Sequence, residues 1–404
     1  MSGWRETTPM IRLAEILNAH WDTYVQEGGR FIPPHVFKAV NQIRACRTPK
    51  LGTAVYQCPQ CGTTKFVYHS CKNRFCPRCG QYETDHWAAT ILSQLPRLKH
   101  HHVVFTLPAQ LRPLAKANPQ VLHTLLFHTS ADVIKEWFAE KHRALPGIIS
   151  VLQTAGSDLH YHPHIHMIVS AGGLKRNQWF ELASDYLVNH KYLQKKFRWR
   201  FLRALVAAYD EGRLQLPGEL AGLQSRCEFM RLVKKLHAVE WVVAVQPPLT
   251  DPENIVRYVG RYTRRACLSE YRIVHFAEGV ITFACKDYAA TKDGKPGLKS
   301  VSLHYREFFD RLFQHVPLPS FRMVRYYGLY AHFDDLPPLP QAEPQELPDK
   351  LTWRELQIEK TGEDPLVCPT CRCQLIFLQM AFPGGGILPT SRVPDAARAY
   401  ADTG

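Results

Sequence analysis

VLQTAGSDLHYHPHIHMIVSAGGL (151–174) runs from an apolar stretch through a polar loop into a second apolar stretch headed by histidines. GIISVLQT (147–154) and HIHMIVSA (164–171) read as two strands, and AGSDLHYHP (155–163) as the loop that joins them into a hairpin. Alternate side chains of a strand share a face and stand about 6.6 Å apart. Ile165, Met167 and Val169 therefore face a packed layer, while His164 and His166 point together the other way. Two imidazoles so placed can converge on one divalent ion. Gln153 ends the preceding strand and is the expected third ligand; His160 and His162 are rivals in the loop. A shell this incomplete leaves positions at which a substrate oxygen can enter.

Working outward, HHVVFTLP (101–108) reads as a buried strand, followed by a helix from about 119 to 142. Residues 187–237 look helical and highly charged, VEWVVAVQ (239–246) reads as a strand, and PENIVRYVGRYTRRA (252–266) as a helix. YRIVHFAEGVITFACKDY (271–288) reads as a hairpin turning at Glu278-Gly279. At the N-terminus, Thr8 can cap a helix with Pro9 in its first turn and one apolar stripe of Met10, Leu13, Ala14, Leu17, Trp21 and Tyr24. Strands interleaved with helices, without a regular βαβ rhythm, predict an α+β fold: an antiparallel sheet with flanking helices and the histidines on its central strands. The expected organisation is an N-terminal helical segment (1–45), a cysteine-rich module expected to bind zinc and DNA (46–95), a central α+β domain (96–334) with a helical insertion at about 175–238, and a proline-rich linker with a C-terminal tail (335–404).

The chain has 404 residues and a formal net charge of +14, which points to a polyanionic partner, nucleic acid first. It has no apolar run long enough to span a bilayer and no apolar leader, so no membrane partner and a cytoplasmic, nucleoid-associated location are expected. Twelve cysteines, many in Cys-x-x-Cys pairs, favour metal over disulfides in a reducing compartment. CPQC (58–61) and CPRC (76–79) are two such knuckles, and Cys58, Cys61, Cys76 and Cys79 are the expected ligands of one structural Zn²⁺. Cys46 and Cys71, with His69 nearby, are the candidates for a second zinc site, and Arg74 for a phosphate contact. CPTCRC (368–373) has no second pair beside it, and no closed site is expected there.

RYVGRYTRR (257–265) carries a second kind of chemistry. Tyr258 and Tyr262 are four residues apart and share a helix face, with Arg257, Arg261 and Arg265 in a parallel stripe and Arg264 beside it. A tyrosine can attack a phosphodiester and keep the bond energy in a covalent phosphotyrosine, while arginines hold the backbone. KKFRWRFLR (195–203) offers Lys195, Lys196, Arg198 and Arg200 as further DNA contacts.

Together these motifs resemble the two-tyrosine rolling-circle transposases of the insertion sequence 91 family, His-hydrophobic-His endonucleases with an N-terminal zinc module. HPHIH followed at a distance by YVGRYTRR carries the likeness, with CRT (46–48), SCKNRFCPRC, VVFTLP and REFFDRLFQHVPLPSFRMVRYYGLYA (306–331) in matching order. The resemblance spans roughly residues 46 to 331. It implies that His164, His166 and Gln153 bind Mg²⁺ or Mn²⁺, that Tyr258 and Tyr262 are the nucleophiles, and that the partners are single-stranded DNA at the element's ends and target DNA. Phe75 stands where such modules often carry histidine. The same chemistry also serves plasmid replication initiators and relaxases, and a non-catalytic zinc-finger regulator would account for charge and cysteines alone. No Gly-x-x-x-x-Gly-Lys-Ser/Thr loop is present to suggest a fused helicase.

Overall fold

A computed structural model describes residues 10–28, 31–96, 98–248, 267–292, 295–335, 351–384 and 386–389. Thr8, Pro9 and the whole of 252–266, with Tyr258, Tyr262, Arg257, Arg261, Arg264 and Arg265, lie outside the described residues. In chain order the elements are α1 (Leu13–Gln26), α2 (Pro34–Ala45), β1 (Thr53–Gln57), β2 (Thr64–Tyr68), α3 (Pro77–Gln94) and β3 (His100–Thr106). They continue with α4 (Arg112–Ala117), α5 (Pro119–His142), β4 (Leu145–Ala155), β5 (Tyr161–Lys175), β6 (Gln178–Glu181), α6 (His190–Asp210), α7 (Arg226–Ala238) and β7 (Val243–Val245). The remainder are β8 (Ile273–Ala277), β9 (Val280–Lys292), β10 (Lys295–His304), α8 (Tyr305–Phe313), β11 (Val324–Gly328), α9 (Trp353–Thr361), β12 (Ile376–Ala381) and β13 (Ile387–Pro389).

The central sheet is antiparallel throughout, in the order β11-β4-β5-β3-β7, with β6 on the end of β5. Its two faces do different work. Ile165, Met167, Val169, Ile148, Leu152, Val103 and Phe105 pack under α5 and α6, where Phe105 meets Phe197 at 5.0 Å. The opposite face carries Ile149, Val151 and Ile168 against Trp87 and Ile91 of α3 and Leu95 just past its end, and then, one step along the strands, the histidines. The α+β expectation therefore holds, with antiparallel sheets flanked by helices. The strand expected over 239–246 is shorter: only Val243–Val245 pairs with β3. Trp241 accounts for this. Its ring is buried against Phe197 and Phe201 and its Nε1 donates to Leu236 O at 2.9 Å, so the chain there wraps the end of α7.

The expected hairpin turns at Glu278 and Gly279, both left-handed at φ 50° and 73°. With β10 it forms a three-stranded sheet that packs, together with α8, against α1 and α2. Glu270, 7% exposed, ties this body together: it accepts from Leu13 N at 3.0 Å and from Arg12 at 3.2 Å, at the start of α1 where a carboxylate is favoured. A third sheet, in the order β13-β12-β1-β2, unites strands from the two ends of the chain. No helix among the described residues is long and apolar enough to cross a membrane.

His315, just beyond α8, fixes the base of the β4–β5 hairpin. Its Nε2 lies 3.1 Å from Leu159 O and its Nδ1 3.0 Å from the Thr154 hydroxyl. That set suits a neutral ring, one nitrogen donating to the carbonyl and the other accepting from the hydroxyl. Burial holds its pKa at about 4. Between about 4 and 6.5 the unfolded chain takes up a proton that the folded ring refuses, so this contribution is full above about 6.5 and lost as the pH falls toward 4. The Tm advantage of the wild type over His315→Gln should therefore shrink as the pH is lowered from about 7 to about 4.5, checked by thermal melts.

Candidate metal centre and cysteine sites

β4 and β5 pair so that Gln153 lies directly opposite His164, and on the other side of β5 Val104 of β3 faces His166. Cross-strand partners share a face, so one register brings Gln153, His164 and His166 together on the face turned away from α5. Gln153 Oε1 is 2.8 Å from His164 Nε2 and 3.0 Å from His166 Nε2.

The outer partners decide which ring nitrogens carry protons. His164 Nδ1 is 2.6 Å from His162 O, a carbonyl that can only accept, so Nδ1 donates and Nε2 keeps its lone pair. His166 is set through a longer chain. Gln246 Oε1 accepts from His102 Nδ1 at 2.9 Å, which leaves His102 Nε2 to accept from His166 Nδ1, also at 2.9 Å. His166 Nε2 is then a lone pair as well. Two imidazole lone pairs and an amide oxygen converge with no proton between them, and a cation satisfies that arrangement. The spacing fits: adjacent ligands of an octahedral ion with bonds of about 2.1 Å stand roughly 3.0 Å apart. Burial depresses His164 to about 4 and His166 well below its ordinary value, which keeps both neutral and able to ligate.

The rival histidines are occupied elsewhere. His160 pairs with Asp158 at 2.8 Å, and His162 accepts from Arg112 at 3.0 Å. His102 and Gln246 escaped the sequence reading. His102 lies on a strand read as buried, and its role depends on a pairing of β3 with both β5 and β7 that local periodicity does not reveal.

The cysteines group differently from the expectation. Cys58, Cys61, Cys76 and Cys79 do not form one site; the two knuckles are divided between two tetrads, Cys46/Cys71/Cys76/Cys79 and Cys58/Cys61/Cys368/Cys371. In the first, Cys79 Sγ is 3.6 Å from both Cys46 and Cys71, and Cys76 is 3.9 Å from Cys46. A tetrahedron with bonds of about 2.3 Å has edges of about 3.8 Å. Hydrogen bonding from Cys46 draws the Cys79 thiol far down and bonding from Cys71 brings Cys46 to about 7, while hydrogen bonding to Cys46 pushes Cys71 and Cys76 up, so without a cation the cluster holds protons on part of its sulfurs and thiolate on the rest. The separation has a plain cause. Cys46 follows α2 and Cys76 caps α3, so this tetrad packs into the core of α1, α2 and α8, while Cys58 follows β1 and faces the chain's other end. His69 is outside both tetrads, and Phe75 is a buried core residue beside the first.

The basic residues are partly committed within the chain. Arg74 donates to Leu318 O and Phe321 O, which makes it a brace between the module and the segment after α8 rather than a free phosphate contact. On α6, Lys196 pairs with Glu140 at 3.0 Å, Arg200 pairs with Glu136, and Arg198 donates to His237 O. Lys195 is exposed.

Comparison with known sequences bears on these sites. Residues 147–336 match the family described as "Putative transposase", and residues 16–107 match "Transposase zinc-binding domain". The chain is 33% identical over 357 residues to "Putative transposase y4qJ" of Sinorhizobium fredii (strain NBRC 101917 / NGR234), covering 85% of this chain and 89% of that one. The chain belongs to the insertion sequence 91 family of transposases. This transposase is also 28% identical over 371 residues to "Transposase for insertion sequence element IS801" of Pseudomonas savastanoi pv. phaseolicola, covering 89% and 87% of the two chains. No solved structure matches it. The zinc-binding match contains the whole of the first tetrad, whose four thiols suit a structural Zn²⁺.

Replacing His102 with alanine should weaken Mn²⁺ binding about 10- to 100-fold by releasing the His166 ring, whereas His164→Ala should abolish it. Calorimetric titration of Mn²⁺ into the full-length protein checks this; an unchanged affinity for His102→Ala would reduce His102 to packing.

Proposed function

We propose that this transposase cuts single-stranded DNA at the ends of its element and joins it to a target by rolling-circle transposition. The observation that carries the reading is the convergence of Gln153 Oε1 with the two Nε2 lone pairs on one sheet face. Gln153, His164 and His166, held on rigid strands, would hold a divalent ion. Mg²⁺ or Mn²⁺ bound there would supply Lewis-acid polarisation of the scissile phosphate.

The chain's own residues do the rest. Tyr258 and Tyr262 are the proposed nucleophiles, with Arg257, Arg261, Arg264 and Arg265 on the DNA backbone. The phenolic oxygen of one tyrosine forms a bond to phosphorus as the bond to the 3′ oxygen breaks. The products are a 5′-phosphotyrosine and a strand ending in a 3′-hydroxyl, which carries away a proton. The phosphotyrosine retains the energy of the broken bond, so a later hydroxyl can displace the tyrosine and reseal the strand without ATP. A second tyrosine allows a second strand to be opened before the first is released. Lys195, exposed on α6, is a further proposed contact to the strand, and Lys196 and Arg198 would join it on exchanging their partners Glu140 and His237 O for phosphate.

Incubation with labelled single-stranded oligonucleotides carrying the element's ends, in Mg²⁺ or Mn²⁺, should give a covalent protein–DNA adduct on a denaturing gel. The adduct should vanish when Tyr258 and Tyr262 are both phenylalanine, and should fall at least 100-fold with His164→Ala/His166→Ala, about the loss expected when an electrostatic stabiliser of the reacting centre is removed. An adduct that survives the double phenylalanine change would overturn the assignment of the nucleophiles.

A further inference from the structure

The matched zinc-binding segment contains Cys46, Cys58, Cys61, Cys71, Cys76 and Cys79. Four of these close on one another, which leaves Cys58 and Cys61 to another partner, and that partner lies outside the matched segment, in Cys368 and Cys371. The two knuckles share one backbone design. In CPQCG (58–62), Gly62 N donates to Cys58 O at 3.0 Å and Cys58 N to Thr63 O at 2.9 Å. In CPTCR (368–372), Arg372 N donates to Cys368 O at 3.0 Å and Cys368 N to Cys373 O at 2.8 Å. The fifth residue of each is left-handed, Gly62 at φ 74° and Arg372 at φ 63°. An arginine seldom adopts that conformation, and here it completes the same turn that glycine completes in the other knuckle.

The sulfurs interlock across the pair. Cys58 is 3.3 Å from Cys371, and Cys61 is 3.5 Å from both Cys368 and Cys371. A disulfide would need about 2.05 Å. All four lie within 4.8 Å of one another, close to the edge length of a tetrahedral thiolate site. Around them β12 pairs along β1, and the two ends share a small core of Ala54, Tyr56 and Val67 with Leu366, Leu375 and Met380. A cluster this small holds poorly by burial alone and calls for a staple.

We propose that Cys58, Cys61, Cys368 and Cys371 form a second structural Zn²⁺ site, which clasps the C-terminal segment to the N-terminal module, so that each chain carries two zinc ions. Four thiolates close the tetrahedron and leave no position for substrate, so the site stands apart from the nuclease chemistry.

Elemental analysis of the purified full-length protein tests it. The wild type should contain two zinc ions per chain, Cys368→Ser/Cys371→Ser one, and Cys371→His two, because imidazole can take a corner of the tetrahedron. One zinc in the wild type, or two in the double serine variant, would overturn the proposal. If the double variant does not fold, reconstitution of the wild type with Co²⁺ decides: two cobalt ions per chain, both with thiolate charge-transfer absorption, support the clasp, and one refutes it.

Discussion

Gln153 lies opposite His164 because β4 and β5 pair in one register, and a slip of a single residue would turn Gln153 to the other face of the sheet. Much else in the molecule serves to prevent that slip. Ile165, Met167 and Val169 are buried under α5, and their alternation with the histidines leaves the strand one way to sit. Irregularities in the pairing flank the site between Pro146 and Ile148 and between Gln153 and Ala155, and Gln153 stands at the end of the regular stretch between them, opposite His164. His315 grips the hairpin from outside through Thr154 and Leu159.

The candidate ligands depend in turn on groups set behind them. A histidine can offer either nitrogen, and the choice lies with whatever its other nitrogen finds. For His164 that is the carbonyl of His162, two residues back; for His166 it is His102 and, behind it, Gln246 just past the end of β7. The edge strand β7 is only three residues long, yet its pairing with β3 holds the residue that follows it, Gln246, beside His102. The candidate metal face therefore draws on β3, β4 and β5 and on the residue that follows β7.

What the sequence disclosed follows the range of the interactions involved. The hairpin, α5 and the turn at Glu278-Gly279 are set by periodicity and turn chemistry within a few residues, and all were legible. The convergence of Gln153 with the two histidines was legible too, because it needs only a hairpin. The partition of the cysteines was not: Cys58 and Cys76 belong to alike Cys-x-x-Cys motifs, and nothing local says that one pair reaches back to Cys46 and Cys71 while the other reaches more than three hundred residues ahead. The burial of Trp241 and the brace at Arg74 are likewise long-range contacts that override local propensity and charge.

The third sheet sets a condition on how the protein is made. β1 is among the first strands to leave the ribosome, but its neighbour β12 is among the last, ending at Ala381. Until then one edge of β1 is unpaired and the thiols of Cys58 and Cys61 lack their facing pair. The sheet around β1 is therefore completed only once the residues up to Ala381 have been made, and a product that stopped short of them would carry an exposed strand edge.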